Sequence, residues 1–151
     1  MRTVAIILVL LVLAALGYLG YAHFSGGAVP TFGLPIGGDK ATIRSRTLTF
    51  LENVKFKNTV ALKDFVASTI TVPQILFYVE TSLGLNQEMD LNQAAVKEIE
   101  IDSAAQRARV RVTLSGQDLK NMKAFDMEKL VFLYNAGHDR WLIDTTPYPN
   151  Y

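Results

Sequence analysis

Catalysis and metal binding need proton carriers, nucleophiles or soft ligands brought together, and this sequence of 151 residues offers few of them. With no Cys, a disulfide framework, a thiol nucleophile and a thiolate metal site are all excluded. The two histidines, His23 and His138, are far apart. His138 follows Asn135-Ala136-Gly137, turn chemistry that predicts a solvated imidazole, whereas His23 closes an apolar run and reads as interfacial. Asp64 and Asp144 lie beside apolar residues; turned inward they would serve acid–base chemistry, and surface or capping roles are the simpler reading. No Ser-His-Asp set, nucleotide-binding Gly loop or His/Glu metal spacing can be assembled. The sequence therefore implies no metal, no cofactor and no catalytic residue.

Aromatic residues are the remaining candidates for recognition. Phe50, Phe65, Tyr78, Phe132, Tyr134 and Trp141 read first as core. Tyr78, Tyr134 and Trp141 also carry a polar atom that needs a partner when buried, and these three are the ligand or partner candidates. The 15 basic and 14 acidic residues leave a formal charge of +1. Nucleic-acid binding normally needs a concentrated cationic excess, so no nucleic-acid partner is expected.

The elements that must position these residues begin with Val4 to Ala22, VAIILVLLVLAALGYLGYA, which contains no charged side chain. A helix of that length reaches roughly 28 Å, about the thickness of a bilayer hydrocarbon core. Arg2 precedes the run and no Lys or Arg follows it until Lys40, so the charge rule predicts a cytoplasmic N-terminus and an extracytoplasmic remainder. Tyr18 and Tyr21 suit the outer interface. A cleaved signal peptide is the rival reading, because Val4 to Leu13 is short enough for its apolar core; the two small-x-small sites that follow, Ala15-Leu16-Gly17 and Gly20-Tyr21-Ala22, are imperfect. Residues 1–24 are thus expected to be a transmembrane anchor that contacts lipid through residues 4–22.

Residues 25–40, SGGAVPTFGLPIGGDK, hold five Gly and two Pro and read as a tether. Its apolar residues Val29, Phe32, Leu34 and Ile36 suit contact with lipid or with the folded domain. Residues 41–151 then form an α+β domain: two to three helices packed on a curved antiparallel sheet of about four strands. Ile43, Thr47, Phe50, Leu51 and Val54 mark one helical face, with Arg44, Arg46, Glu52, Asn53 and Lys55 opposite. A short second helix is expected from Thr59, as N-cap, through Val66. Pro73 opens a third, faced by Ile75, Leu76, Val79 and Leu83 and stopped at Gly84.

After the polar connection LNQEMDLNQ the period changes to 2, giving strands at Lys97–Asp102 and Arg107–Leu114. Closing them as a hairpin sets Asp102 opposite Arg107, Glu100 opposite Arg109 and Glu98 opposite Arg111, with Ile101 on Ala108 and Ile99 on Val110. A slip of one residue would lose both the charged and the apolar pairing. These acids neutralise what would otherwise be an anion-binding arginine stripe. Lys129 to Tyr134 is apolar on both faces, as a central or doubly covered strand would be, and Trp141 to Asp144 is the returning strand. The tail TTPYPNY is expected to be irregular.

Helices followed by a meander whose last hairpin carries Leu130 to Tyr134, Gly137 and Trp141 to Asp144, preceded by the Ile99/Ile101 and Val110/Val112 hairpin, resemble the nuclear transport factor two-like (SnoaL-like, cystatin-like cone) superfamily. The resemblance spans about residues 41–146. It implies a conical pocket under a curved sheet, used by some members for acid–base catalysis and by others for binding, and homodimerisation through the sheet as one option. The sequence reading is a membrane-anchored extracytoplasmic binding module, not an enzyme, engaging an envelope protein or a small apolar ligand from the inner membrane. A SnoaL-like enzyme acting on a hydrophobic substrate and a secreted domain are the alternatives.

Overall fold

A computed structural model describes residues 2–26, 28, 29, 36–138 and 140–146 and divides the chain into two compact units, Met1–Thr42 and Ile43–Tyr151. In the first unit, helix α1 covers Arg2–Phe24, and its stretch Ile6–Phe24 is long and apolar enough to cross a membrane. Its side chains from Ile6 to Leu13 each leave 49–65% of their surface uncovered, unlike the core helix of a soluble protein. Helix α2 spans Gly38–Lys55, so Gly38, Asp39 and Lys40 at the end of the expected tether are helical. Within that tether Val29 and Ile36 are half-buried, while Phe32 and Leu34 lie outside the described residues.

The domain is α+β, with α2, a 3-10 turn at Ala61–Phe65 and α3 at Val72–Thr81 preceding four antiparallel strands in the order β1-β2-β3-β4. Ile43, Thr47, Phe50 and Leu51 of α2 are buried, matching the sequence pattern. The 3-10 turn is capped differently than expected: Val60, not Thr59, is the cap residue, and the Asn58 side chain accepts the Ala61 N–H at 3.4 Å. At the start of α3 the Gln74 side chain turns back to accept the Thr71 N–H at 2.8 Å, and Pro73 occupies the first turn, where no donor is wasted. Its buried face is Ile75, Tyr78 and Val79, followed by Leu83 in the exit turn; Leu76 falls on the flank and is exposed. Gly84 ends the segment at φ +70°.

The strands are longer than the sequence pattern suggested: β1 is Met89–Asp102, β2 Arg107–Asp118, β3 Lys123–Asn135 and β4 Trp141–Ile143. Most of the stretch taken as a polar connection is therefore strand, and two β-bulges, between Leu91 and Gln93 and between Val96 and Glu98, disguise its period. The hairpin register is as expected from Glu98↔Arg111 to Asp102↔Arg107. Arg109 pairs with Glu100, and Arg111 lies 3.5 Å from Glu98. Asp102 stands opposite Arg107, and its Oδ1 accepts the Ala104 and Ala105 N–H groups, fixing the turn.

One sheet face is apolar. Val110, Val112 and Leu114 of β2, Val131 and Leu133 of β3, and Trp141 and Ile143 of β4 pack with Phe50, Leu51, Phe65 and Ile75 from the helical layer. β3 is central, between β2 and β4, but not doubly covered: Val131 and Leu133 are buried, while Leu130 on the other face is 41% exposed and Phe132 only half-buried. Leu130 borders a cleft instead of lying under a second layer. Of the tail TTPYPNY, Thr145 and Thr146 are irregular and residues 147–151 lie outside the described residues.

Two predictions follow from local geometry. A Cβ on Gly116 would overlap the Asp90 carbonyl oxygen and stand 2.7 Å from the Phe125 ring. Gly116→Ala is expected to lower stability by about 2 kcal/mol or more in urea unfolding, as overpacking against backbone does. Asp118 caps the β2–β3 turn: the Asn121 side chain, the Asn121 N–H and the Lys120 N–H all donate to it, and these bonds hold its carboxyl below the ordinary carboxylate range. Because the folded value is depressed, the stabilisation is present above the unfolded value of about 3.9 and is lost as pH falls through the folded one. The Lys120 and Asn121 amide resonances should keep their bonded shifts as pH drops through that range and move only below it; Asp118→Asn should abolish the titration.

Candidate functional site

The three aromatic candidates do not converge. Trp141 is 2% exposed, a core residue of β4 rather than a rim residue. Tyr134 is half-buried on the opposite sheet face, set between Arg107 and Leu142 on the neighbouring strands. Tyr78 is 3% exposed, its ring 6.4 Å from that of Phe50, and it borders an open cleft.

That cleft, of about 790 Å³, lies between α3 and β3. Phe77, Tyr78, Thr81 and Ser82 form the helical wall; Glu128, Leu130 and Phe132 form the strand wall, joined by Arg111, Lys129 and Thr146. Phe77 is 60% exposed and, with the 41% exposed Leu130 across the cleft, gives it an apolar lining open to solvent. Arg111 is engaged by Glu98, and the cleft's remaining charges, Glu128 and Lys129, are not matched into an acid–base pair by any hydrogen bond among the described residues. A second hollow of about 370 Å³ is floored by Leu62, Val79, Leu85 and Leu91, with Lys55, Lys57 and Glu80 at its rim.

The titratable residues considered from sequence lie elsewhere. His138 is exposed in the β3–β4 turn at φ +51°, and His23 is exposed, with its Nδ1 accepting the Gly37 N–H at 3.4 Å. Asp64 is exposed; Asp144 is half-buried, and its Oδ1 accepts both the Thr146 N–H and hydroxyl. Among the described residues no group of three or more His, Asp or Glu is gathered to hold a metal, and no charged side chain is fully buried; Thr47 is buried alongside the polar tips of Tyr78 and Trp141.

Two features of the domain are not apparent from the sequence pattern. The first is the length of β3, signalled by Phe125 and Met127 alternating with Asp126 and Glu128. The second is Arg46, assigned to the polar side of α2 and found as a clamp. Its Nε donates to the Trp141 carbonyl at 3.1 Å, its Nη2 to the Asp64 carbonyl at 2.6 Å, and its guanidinium lies 4.7 Å from the Phe65 ring centre. Burial, then Arg140, lowers its pKa from the ordinary value while Asp64 opposes them. No family model, curated protein or solved structure matches the chain.

Removing the guanidinium would leave two carbonyls without their donor. Arg46→Ala should lower stability by about 1–3 kcal/mol, and Arg46→Lys should restore little, because a single ammonium cannot serve both carbonyls and the ring. Urea unfolding followed by the fluorescence of Trp141, the chain's single Trp, measures both.

Proposed function

We propose that this chain is a single-pass membrane protein of a bacterial-type envelope, N-terminus in the cytoplasm, whose α+β domain lies outside the inner membrane and binds a protein partner or a small apolar ligand without catalysing a reaction. The observation that carries this reading is the uncovered apolar surface of α1, joined in one chain to a domain of balanced charge. Roughly half of each side chain from Ile6 to Leu13 would be left in water unless lipid or a partner covered it, at about 25 cal/mol per Å² of apolar surface.

The domain follows the order of a nuclear transport factor two-like cone, helices first and then a four-stranded meander, and we extend the resemblance to it on that ground. Its inner sheet face is filled by Val110, Val112, Leu114, Val131 and Leu133, where an acid–base enzyme of that type would need an inward Asp or His beside a Tyr. This favours a binding role over the enzymatic alternative. The accessible recognition surface is then the cleft beside β3, with Phe77, Leu130 and Phe132 as its apolar contacts.

Full-length protein should remain in the membrane pellet after alkaline carbonate extraction. Protease added to the outside of cells with a permeabilised outer layer should remove the domain, and the mature N-terminus should retain residues 4–22. Recovery in the carbonate supernatant would overturn the anchor; a mature N-terminus beyond Ala22 would make the domain a secreted one.

A further inference from the structure

The two open edges of the sheet, β1 on one side and the stretch of β3 that β4 does not reach on the other, are treated differently. Along β1 the α2 side chains reach edge carbonyls: Lys55 Nζ donates to Asn92 at 2.7 Å and Arg44 Nη1 to Val96 at 3.4 Å. Among the described residues β3 has no such cover below Val131. β4 pairs only with Leu133–Asn135, and the last ladder bond runs from the Asp144 N–H to the Phe132 carbonyl at 2.8 Å. Asp144 then takes the Thr146 N–H and hydroxyl on its own carboxylate, turning the chain out of the ladder.

Antiparallel residues direct both backbone groups to one side, alternately. Asn135 donates toward β2, to Gln106, whereas Phe132 accepts from the β4 side. Ala124, Asp126, Glu128 and Leu130 therefore turn N–H and C=O outward; all four are exposed, and among the described residues none of these groups is bonded. An edge of this length with free groups is a template for another strand.

The side chains state which strand. Asp126 and Glu128 stand on the outer row and, unlike Glu98 and Glu100, join no ion pair among the described residues. Leu130 continues the row into the cleft beside Phe77 and Phe132. A second copy fits badly in the registers that centre on the acidic stretch. Antiparallel self-pairing keeps inner rows together, so a two-fold axis must pass through a residue. Through Asp126 it opposes Lys123 to Lys129 and Asp126 to itself; through Met127 it opposes Asp126 to Glu128; through Glu128 it opposes that carboxylate to itself. Lys129, on the inner row opposite Val112, further guards the edge against indiscriminate pairing.

Resting on the reading of this domain as a binding module, we propose that its partner is an extended peptide segment of another protein, added antiparallel to Ala124–Leu130, with an apolar residue in the cleft followed at two-residue intervals by two cationic residues that meet Glu128 and Asp126. The backbone supplies affinity and the alternating side chains supply selectivity.

The probe is a labelled peptide containing Leu-Thr-Lys-Thr-Lys, compared with Leu-Thr-Glu-Thr-Glu, titrated onto the full chain in detergent micelles. The lysine peptide should bind about tenfold more tightly, the effect of two cross-strand charge reversals at an exposed edge. The Asp126→Asn/Glu128→Gln double variant should erase that difference. Glu128→Pro removes one outward N–H and no bond to β2, so it should abolish binding of both peptides with the thermal midpoint unchanged. Equal affinities in the wild type, or full binding by folded Glu128→Pro, would overturn the proposal; where Glu128→Pro does not fold, the double variant decides. In cells, a photo-cross-linker at Ala124 should mark a basic–apolar segment of a different polypeptide, whereas a second copy or residues 147–151 in its place would overturn the proposal. A partner captured only from other surfaces removes strand addition and leaves the binding module standing; no partner from any surface and no peptide binding removes both.

Discussion

The side-chain parity of β2 governs the domain. It is the strand with partners along its full length on both sides, β1 and β3, so the row that begins at Ala108 and runs through Val110, Val112 and Leu114 determines which face of three strands is apolar. Shifting either pairing by one residue would carry Arg109 and Arg111 into contact with Phe50 and Leu51, at a desolvation cost no surface ion pair offsets. The Arg109–Glu100 and Arg111–Glu98 pairs are exposed and contribute little energy individually. Their effect is to penalise the slipped register from the outer face while the apolar row penalises it from the inner one.

Given that row, the helical layer has one apolar surface to cover, and α2 does so while using its cations at both margins. Lys55 and Arg44 reach β1, and Arg46 reaches β4 and the 3-10 turn. Lysine and arginine can do this because their long apolar stems run along the core while the charged ends bond carbonyls at its margin. The same arrangement produces the asymmetry of the sheet. β1 has its edge carbonyls partly occupied, and among the described residues β3 keeps an open edge below Leu130, because Asp144 diverts the chain after a three-residue β4.

Against this economical core, α1 is a different kind of element. Its apolar residues surround the whole helix, with no polar stripe to separate a wet face from a dry one, so no single contact within a small domain would satisfy it. A hydrocarbon solvent satisfies all sides at once and requires internally bonded backbone, which a helix provides.

The parts of the protein readable from composition and period were those set by local rules. A charge-free apolar run of bilayer length, the buried face of α2, Pro73 and Gly84 at the ends of α3, and the register of Glu98–Asp102 against Arg107–Arg111 each depend on residues within one or two elements. The rest depended on residues remote in sequence. The bulges at Leu91/Gln93 and Val96/Glu98 broke the period that would have extended β1, and Arg46 was polar by type yet drawn inward by carbonyls of Asp64 and Trp141. Tyr78, Tyr134 and Trp141 were singled out together because side-chain chemistry is visible in sequence, but direction is not. Trp141 took the inner row of β4, Tyr134 the outer row of β3, and Tyr78 the buried face of α3, each by the parity or helical angle of its own element. The cleft beside β3 exists because a ladder stops at Asp144, and where a ladder stops is a property of strands in space rather than of any segment alone.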